Sequence, residues 1–210
     1  MIAAREGLWV RLGRPGDEAA LNRVCLLTGD SGHDASALHD DPDALGRIYA
    51  APYLALEPAL TLVLGDQQGV CGYALGALDT VEFEARYRGE WLPPLRAAYP
   101  APTGDPAGWT ATERCYHLYH HPDATPAEVD TSAGGYPSHL HIDLLPRAQG
   151  RGHGGWLLGI LFERLRQAGS AGVHLGVGQS NQRAIGFYRK LGFHTLHRAE
   201  GCVYMGRHLP

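Results

Sequence analysis

The stretch Gln149-Gly150-Arg151-Gly152-His153-Gly154 constrains this chain more than any other. An alternating run, His139 to Leu145, precedes it and predicts a strand; Trp156 to Gln167, closed by Gly169, predicts a helix. A strand that passes through glycines into a helix leaves backbone N–H groups unpaired. With the positive end of the helix dipole these form an anion site. Glycine lets a phosphate approach the backbone, and Arg151 adds positive charge. The turn is read as a pyrophosphate cradle for a nucleotide-like cofactor; a plain flexible connection is the alternative. A dinucleotide fingerprint fits less well. Gly150-x-Gly152-x-x-Gly155 is present, but no acidic residue closes a strand near Val173 to Val177, about 20 residues on, where such a site needs one.

The chain carries enough apolar residues, 44% of 210, to fill a core, and residues 1–210 are expected to form a single domain. A net charge of −4 offers no electrostatic case for nucleic acid. Cys25, Cys71, Cys115 and Cys202 are far apart, without a C-x-x-C pair, and read as reduced thiols. No basic-then-apolar leader and no long apolar run occur, so a cytoplasmic protein with no membrane association is expected, as monomer or homodimer.

Strands are expected at Leu8–Leu12, Leu60–Leu64 and Val70–Leu78, the last two joined by Gly65 to Gly69. Helices are expected from Glu18 to about Leu27, from Asp41-Pro42 to Tyr49, and from Val81 to Arg88, with a piece at Glu90–Ala98 broken by Pro93-Pro94. Cys115–Tyr119 reads as a short strand within otherwise irregular chain from Pro100 to Pro137. Long ordered loops are often functional, so this middle is expected to shape a substrate site. Val173–Val177, a helix Asn181–Leu191 stopped by Gly192, and strands at Phe193–Leu196 and Cys202–Met205 complete the chain. The order predicts an α+β, three-layer fold with mixed strand directions.

Two segments resemble the GNAT (GCN5-related N-acetyltransferase) superfamily. Gln149-x-x-Gly152-x-Gly154, preceded by Leu144-Leu145-Pro146, is similar to its acetyl-CoA motif. Asn181-x-x-Ala184-x-x-Phe187-Tyr188-x-x-x-Gly192-Phe193 is similar to its second signature. Val70 to Asp79 and Trp91-Leu92-Pro93 further resemble the acetyltransferase-like C-terminal domain of O-GlcNAcase and its stand-alone bacterial relatives. The resemblance implies a GNAT fold, with a mostly antiparallel sheet and splayed strands flanked by helices. It implies direct acetyl transfer from acetyl-CoA to an amine, small molecule or peptide, with no metal.

On that resemblance, Leu144 and Leu145 would bond the pantetheine arm. Gln149, Gly150, Arg151, Gly152, His153 and Gly154 would hold the pyrophosphate, and Asn181 the cofactor or the helix end. Tyr188 would be the acid for the leaving thiolate. Its phenol, with an ordinary pKa of about 10, lies near enough to a thiol for a nearly balanced transfer. His139, His141 and Asp143 share one strand face, and Asp143, then His141, are the candidate bases. Asp79, Tyr73, Trp91 and Tyr116 are candidates for the acceptor pocket. Two rivals stay open: a metal site at His139, His141 and Asp143, and a module that binds acetyl-CoA without transferring its acetyl group.

Overall fold

The computed structural model describes residues 1–210. Its centre is one eight-stranded sheet, built from β1 (Ala3–Arg5), β2 (Leu8–Leu12), β3 (Thr61–Asp66), β4 (Gly69–Ala77), β5 (Ser138–Leu144), β6 (Gly172–Gly178), β7 (His194–Ala199) and β8 (Cys202–His208). The spatial order is β1-β2-β3-β4-β5-β6-β8-β7. Every neighbouring pair is antiparallel except β5 and β6. Those two pair only at Ser138–Val173 and His139–His174, then diverge although each strand runs on. The expected splayed, mostly antiparallel sheet is present.

Helices cover both faces. On one lie α1 (Glu18–Leu26), α2 (Gly46–Tyr49) and α3 (Ala51–Leu56), with α4 (Thr80–Arg86), α5 (Leu92–Ala98) and α6 (Ala111–His120) grouped beside them. On the other lies α7 (His153–Gln167), which buries Leu157, Leu158, Leu161 and Leu165 against β3, β4 and β5. A Cβ on Gly76 of β4 would stand 3.0 Å from Leu161, so helix and sheet meet through glycine. The helix α8 (Gln182–Lys190) follows β6. No helix is long and apolar enough to cross a membrane.

The structure corrects four local expectations. Cys115–Tyr119 is not a strand but part of α6. Thr110 accepts from the Glu113 amide and Glu113 from the Thr110 amide, a reciprocal cap that starts a helix. Pro93 and Pro94 do not break a helix. They sit in the first turn of α5, where a missing N–H is harmless, after a π-helical turn at Tyr87–Trp91. Asp41 to Leu45 form turns, with regular helix only from Gly46. Helix α7 begins at His153, so Gly154 and Gly155 lie inside it.

Leu161→Ala should lower stability by about 2–5 kcal/mol in urea unfolding, the usual range for a buried leucine. A loss below about 1 kcal/mol would mean that α7 is not packed on the sheet as described.

Candidate active site

The site is built where β5 leaves β6. In an antiparallel ladder, alternate residues turn their peptide groups to the same neighbour. The Leu145 amide donates to Cys71 O on the β4 side (2.8 Å), so the peptide groups of Leu144 point the other way, into the gap. The Leu144 carbonyl accepts from Gln149 Nε2 (2.6 Å), and Gln149 Oε1 accepts from Arg183 of α8. Gln149 thus ties the strand end, the turn and α8 together. Leu145 is spent on the sheet.

Beyond Gln149 the chain turns through Gly150 (φ +83°) and Gly152 (φ +76°), left-handed conformations that favour glycine. The amides from Gly150 to Gly155 have no acceptor within the protein; the first to find one is Trp156, which donates to Gly152 O. This row of free N–H groups at a helix start is an anion cradle. A Cβ on Gly150 or Gly152 would meet no atom within 4 Å, so the space before the cradle is open. One on Gly154 would lie 3.1 Å from the Phe187 ring, so that glycine lets α8 approach. Arg151 is exposed beside the cradle. The side chain of His153 is turned away: it is buried, with Nδ1 on Ala148 O (3.2 Å) and Nε2 by Glu6 (3.3 Å), so only its backbone belongs to the turn. Asn181 caps α8, its Oδ1 accepting from the Ala184 amide (3.0 Å).

On the α1–α3 face of the sheet, β5 carries His139, His141 and Asp143 in a row, in register with Ala77, Leu75 and Tyr73 of β4. Tyr73 is fully buried and donates to Asp143 Oδ2 (2.6 Å). His141 Nδ1 is 2.8 Å from Tyr49 O. A carbonyl only accepts, so that nitrogen carries hydrogen and Nε2, 3.6 Å from Asp143 Oδ2, faces the carboxylate. The hydroxyl of Thr80 donates to Pro137 O (2.7 Å), so His139 Nδ1 donates to Thr80 (2.9 Å). Burial drives His139 down to about 3, with His174 and His141 adding to the effect, so the ring stays neutral.

Burial lifts the Asp143 carboxyl above its ordinary value, opposed by His141 and the Tyr73 hydroxyl. Yet 21% of its side chain meets solvent. The carboxyl is thus hemmed in by protein but open on one side. Tyr188 of α8 is 8% exposed, between Phe187 (5.3 Å) and Phe193 (5.6 Å). Burial raises its phenol, and the charge of Asp143 raises it further.

The other predicted residues do not gather here. Asp79 caps α4 through the Glu82 amide (2.9 Å). Trp91 Nε1 donates to Arg47 O in α2 (2.9 Å), and Tyr116 to Asp41 Oδ2 in the turns before α2 (3.0 Å). Of the four acceptor-pocket candidates only Tyr73 joins Asp143. A cavity of about 450 Å³ lies between α4 and residues 125–132; Thr80, Glu84 and Asp130 line it, and none of the predicted site residues does. No three His, Cys, Asp or Glu side chains converge as a metal-ligand group, and all four cysteines are unpaired. Tyr49 and Arg183 went unnoticed in the sequence; no local pattern marks either, because each reaches the site by chain folding.

The chain is similar to known proteins in sequence and in fold. The model of the acetyltransferase (GNAT) family matches residues 103–193. The structure superposes on that of SsHAT with a TM-score of 0.89 and 39% identity, over 97% of this chain and 99% of that one. This chain belongs to the acetyltransferase (GNAT) family. It is also 27% identical over 199 residues to the protein O-GlcNAcase of Rattus norvegicus and of Mus musculus, covering 93% of this chain. It spans about a fifth of the length of those curated relatives, 21%. The fold alone is shared with yncA of Salmonella typhimurium, solved with its cofactor acetyl-CoA, at a TM-score of 0.52 and 18% identity over 98% of this chain and 95% of that one.

A carboxyl whose pKa is raised on folding binds its proton more tightly in the native state. Stability is then full below the unfolded value of 3.8 and falls as pH rises through the folded one. Melting temperature should therefore decline with pH across the window just above pH 4, and Asp143→Asn should flatten that segment. An unchanged slope in the variant would remove Asp143 from the buried set.

Proposed function

We propose that this chain, as one unit of residues 1–210, transfers the acetyl group of acetyl-CoA directly to an amine. The observation that carries the reading is the open end of the sheet. The gap after His139 and His174 leads to the free amides of Gly150 to Gly155, while the charge of Asp143 on β5 raises the phenol of Tyr188 on α8. Those amides and Arg151 would bind the diphosphate of coenzyme A, and the gap-facing peptide groups of Leu144 its pantetheine arm. Acetyl-CoA supplies an activated thioester.

Asp143 then takes the proton of the attacking amine, burial having made it a stronger base than an ordinary carboxylate. His141, held by Tyr49 O, orients the carboxylate and is the second candidate for that proton. Tyr188 gives its phenolic hydrogen to the departing sulfur. Its raised pKa keeps that hydrogen in place until needed. Once Asp143 is protonated, the negative charge that raises Tyr188 is gone, so the first transfer prepares the second. The likeness to O-GlcNAcase supports a second reading, binding without transfer. Steady release of free thiol from acetyl-CoA with an amine panel favours the enzyme; tight binding without turnover favours the module.

Tyr188→Phe should lower kcat roughly 10²-fold or more with little change in acetyl-CoA affinity; wild-type kcat would make Tyr188 structural. In Gly152→Leu the new Cβ would meet no protein atom within 4 Å, while the side chain projects into the cradle and strains a positive φ. It should keep the fold, at a cost of about 1–2 kcal/mol, and abolish the calorimetric response to acetyl-CoA. Unchanged affinity would count against the whole assignment.

A further inference from the structure

The glycine turn is braced from behind by a side chain of its own. Gly150 and Gly152 take positive φ, and glycine has more conformational freedom to lose than any other residue, so a turn built on them is not stiff by itself. His153 closes it. This residue is the first of α7, and its amide is one of the free N–H groups of the cradle. Its ring points the other way and is buried. Nδ1 lies 3.2 Å from the carbonyl oxygen of Ala148, just before the turn begins. A carbonyl only accepts, so Nδ1 carries hydrogen, and the bond spans the turn from Ala148 to His153. Ala148 is itself held: it is buried, and its amide donates to Leu145 O (2.8 Å). Both ends of the turn are therefore tied, and the amides between them lose freedom before any ligand arrives.

Nε2 meets a second acceptor from far along the chain. Glu6 Oε2 lies 3.3 Å away, on the two-residue turn between β1 and β2. Hydrogen on both ring nitrogens satisfies both contacts. Glu6 stands at φ +52° and Gly7 at φ +81°, the left-handed pair that a turn of this length needs. Asn, Asp or Gly is the usual first residue of such a pair, and a glutamate there holds a conformation that few side chains adopt. Its other carboxylate oxygen faces Arg5 (3.4 Å). A half-exposed carboxylate on the N-terminal hairpin thus reaches a buried ring on the very residue that presents a cradle amide.

We infer that His153 and Glu6 are positioning residues for the diphosphate of coenzyme A: the ring ties the two ends of the glycine turn, Glu6 fixes the ring, and neither side chain touches the cofactor. A site made of backbone amides binds an anion better the closer its free geometry is to the bound one. This rests on the acetyl-CoA reading of the cradle and extends it to the hairpin of β1 and β2.

The test is a calorimetric titration of coenzyme A into the full chain and its variants, each well below its melting temperature. His153→Ala should bind roughly tenfold more weakly, the scale on which outer partners of binding groups act. His153→Asn puts an amide nitrogen where Nδ1 stands and should recover most of that loss. Both variants vacate the buried ring and should melt lower, so affinity regained in His153→Asn alone separates the bond from packing. Glu6→Ala should weaken binding, whereas Glu6→Gln, which can still accept from Nε2, should not. NMR of the wild type without ligand should show hydrogen on both ring nitrogens of His153. Wild-type affinity in His153→Ala, or equal losses in His153→Ala and His153→Asn, would overturn the inference. Wild-type affinity in Glu6→Ala, or an Nε2 without hydrogen, would overturn the part given to Glu6. A wild type that gives no response to coenzyme A would sink the transferase reading and this inference together; a wild type that binds, with variants that bind alike, would sink this inference alone.

Discussion

The site depends on the vertex from which β5 and β6 diverge. A parallel pair held by two residues would ordinarily close up further or part altogether. Here buried polar bonds fix its closed end. The hydroxyl of Ser138 bonds Leu78 O (2.6 Å) and lies 2.7 Å from that of Ser170, which bonds Gly172 O (2.9 Å). His174 Nδ1 donates to Tyr136 O (2.9 Å), and Thr80 holds Pro137 O through both its amide and its hydroxyl. Buried groups of this kind are expensive to leave unmade. With the vertex fixed, the strands can only open toward Leu144, and they open onto the glycine turn.

That opening creates a row of backbone groups without partners. In a closed sheet such groups would be a defect. Here, past the paired amides of Leu145, Ala148 and Gln149, the chain reaches the unpaired amides of Gly150 to Gly155. Gln149 joins the two halves by taking Leu144 O, and Arg183 holds Gln149 from α8. One carbonyl of the gap is thus already satisfied, which narrows where an arm lying in it can bond.

The parts of this design written in adjacent residues were legible. A two-residue period put His141 and Asp143 on one face, and glycine spacing marked the turn. The start of α6 was also local, in Thr110 and Glu113, but the aromatic run after it reads equally as strand or helix. What could not be read was decided by distant partners. His153 sits in the motif, yet its ring goes to Glu6, 147 residues away. Tyr116 looked like a pocket wall and instead bonds Asp41, while Tyr49 reaches His141 across 92 residues. Such pairings are consequences of topology, and no window of sequence contains them.

The electrostatics follow from the same geometry. A carboxylate hemmed in by protein with 21% of its side chain exposed has too little water to be comfortable as an anion and too much contact to be inert. Tyr73 and His141 keep the anion accessible, while burial makes it basic. A phenol sharing that environment feels every change in the carboxylate's charge more strongly than it would in water. On the proposed mechanism, removing a proton from the acceptor and delivering one to sulfur would need no relay between Asp143 and Tyr188. The phenol responds to the charge of the carboxylate.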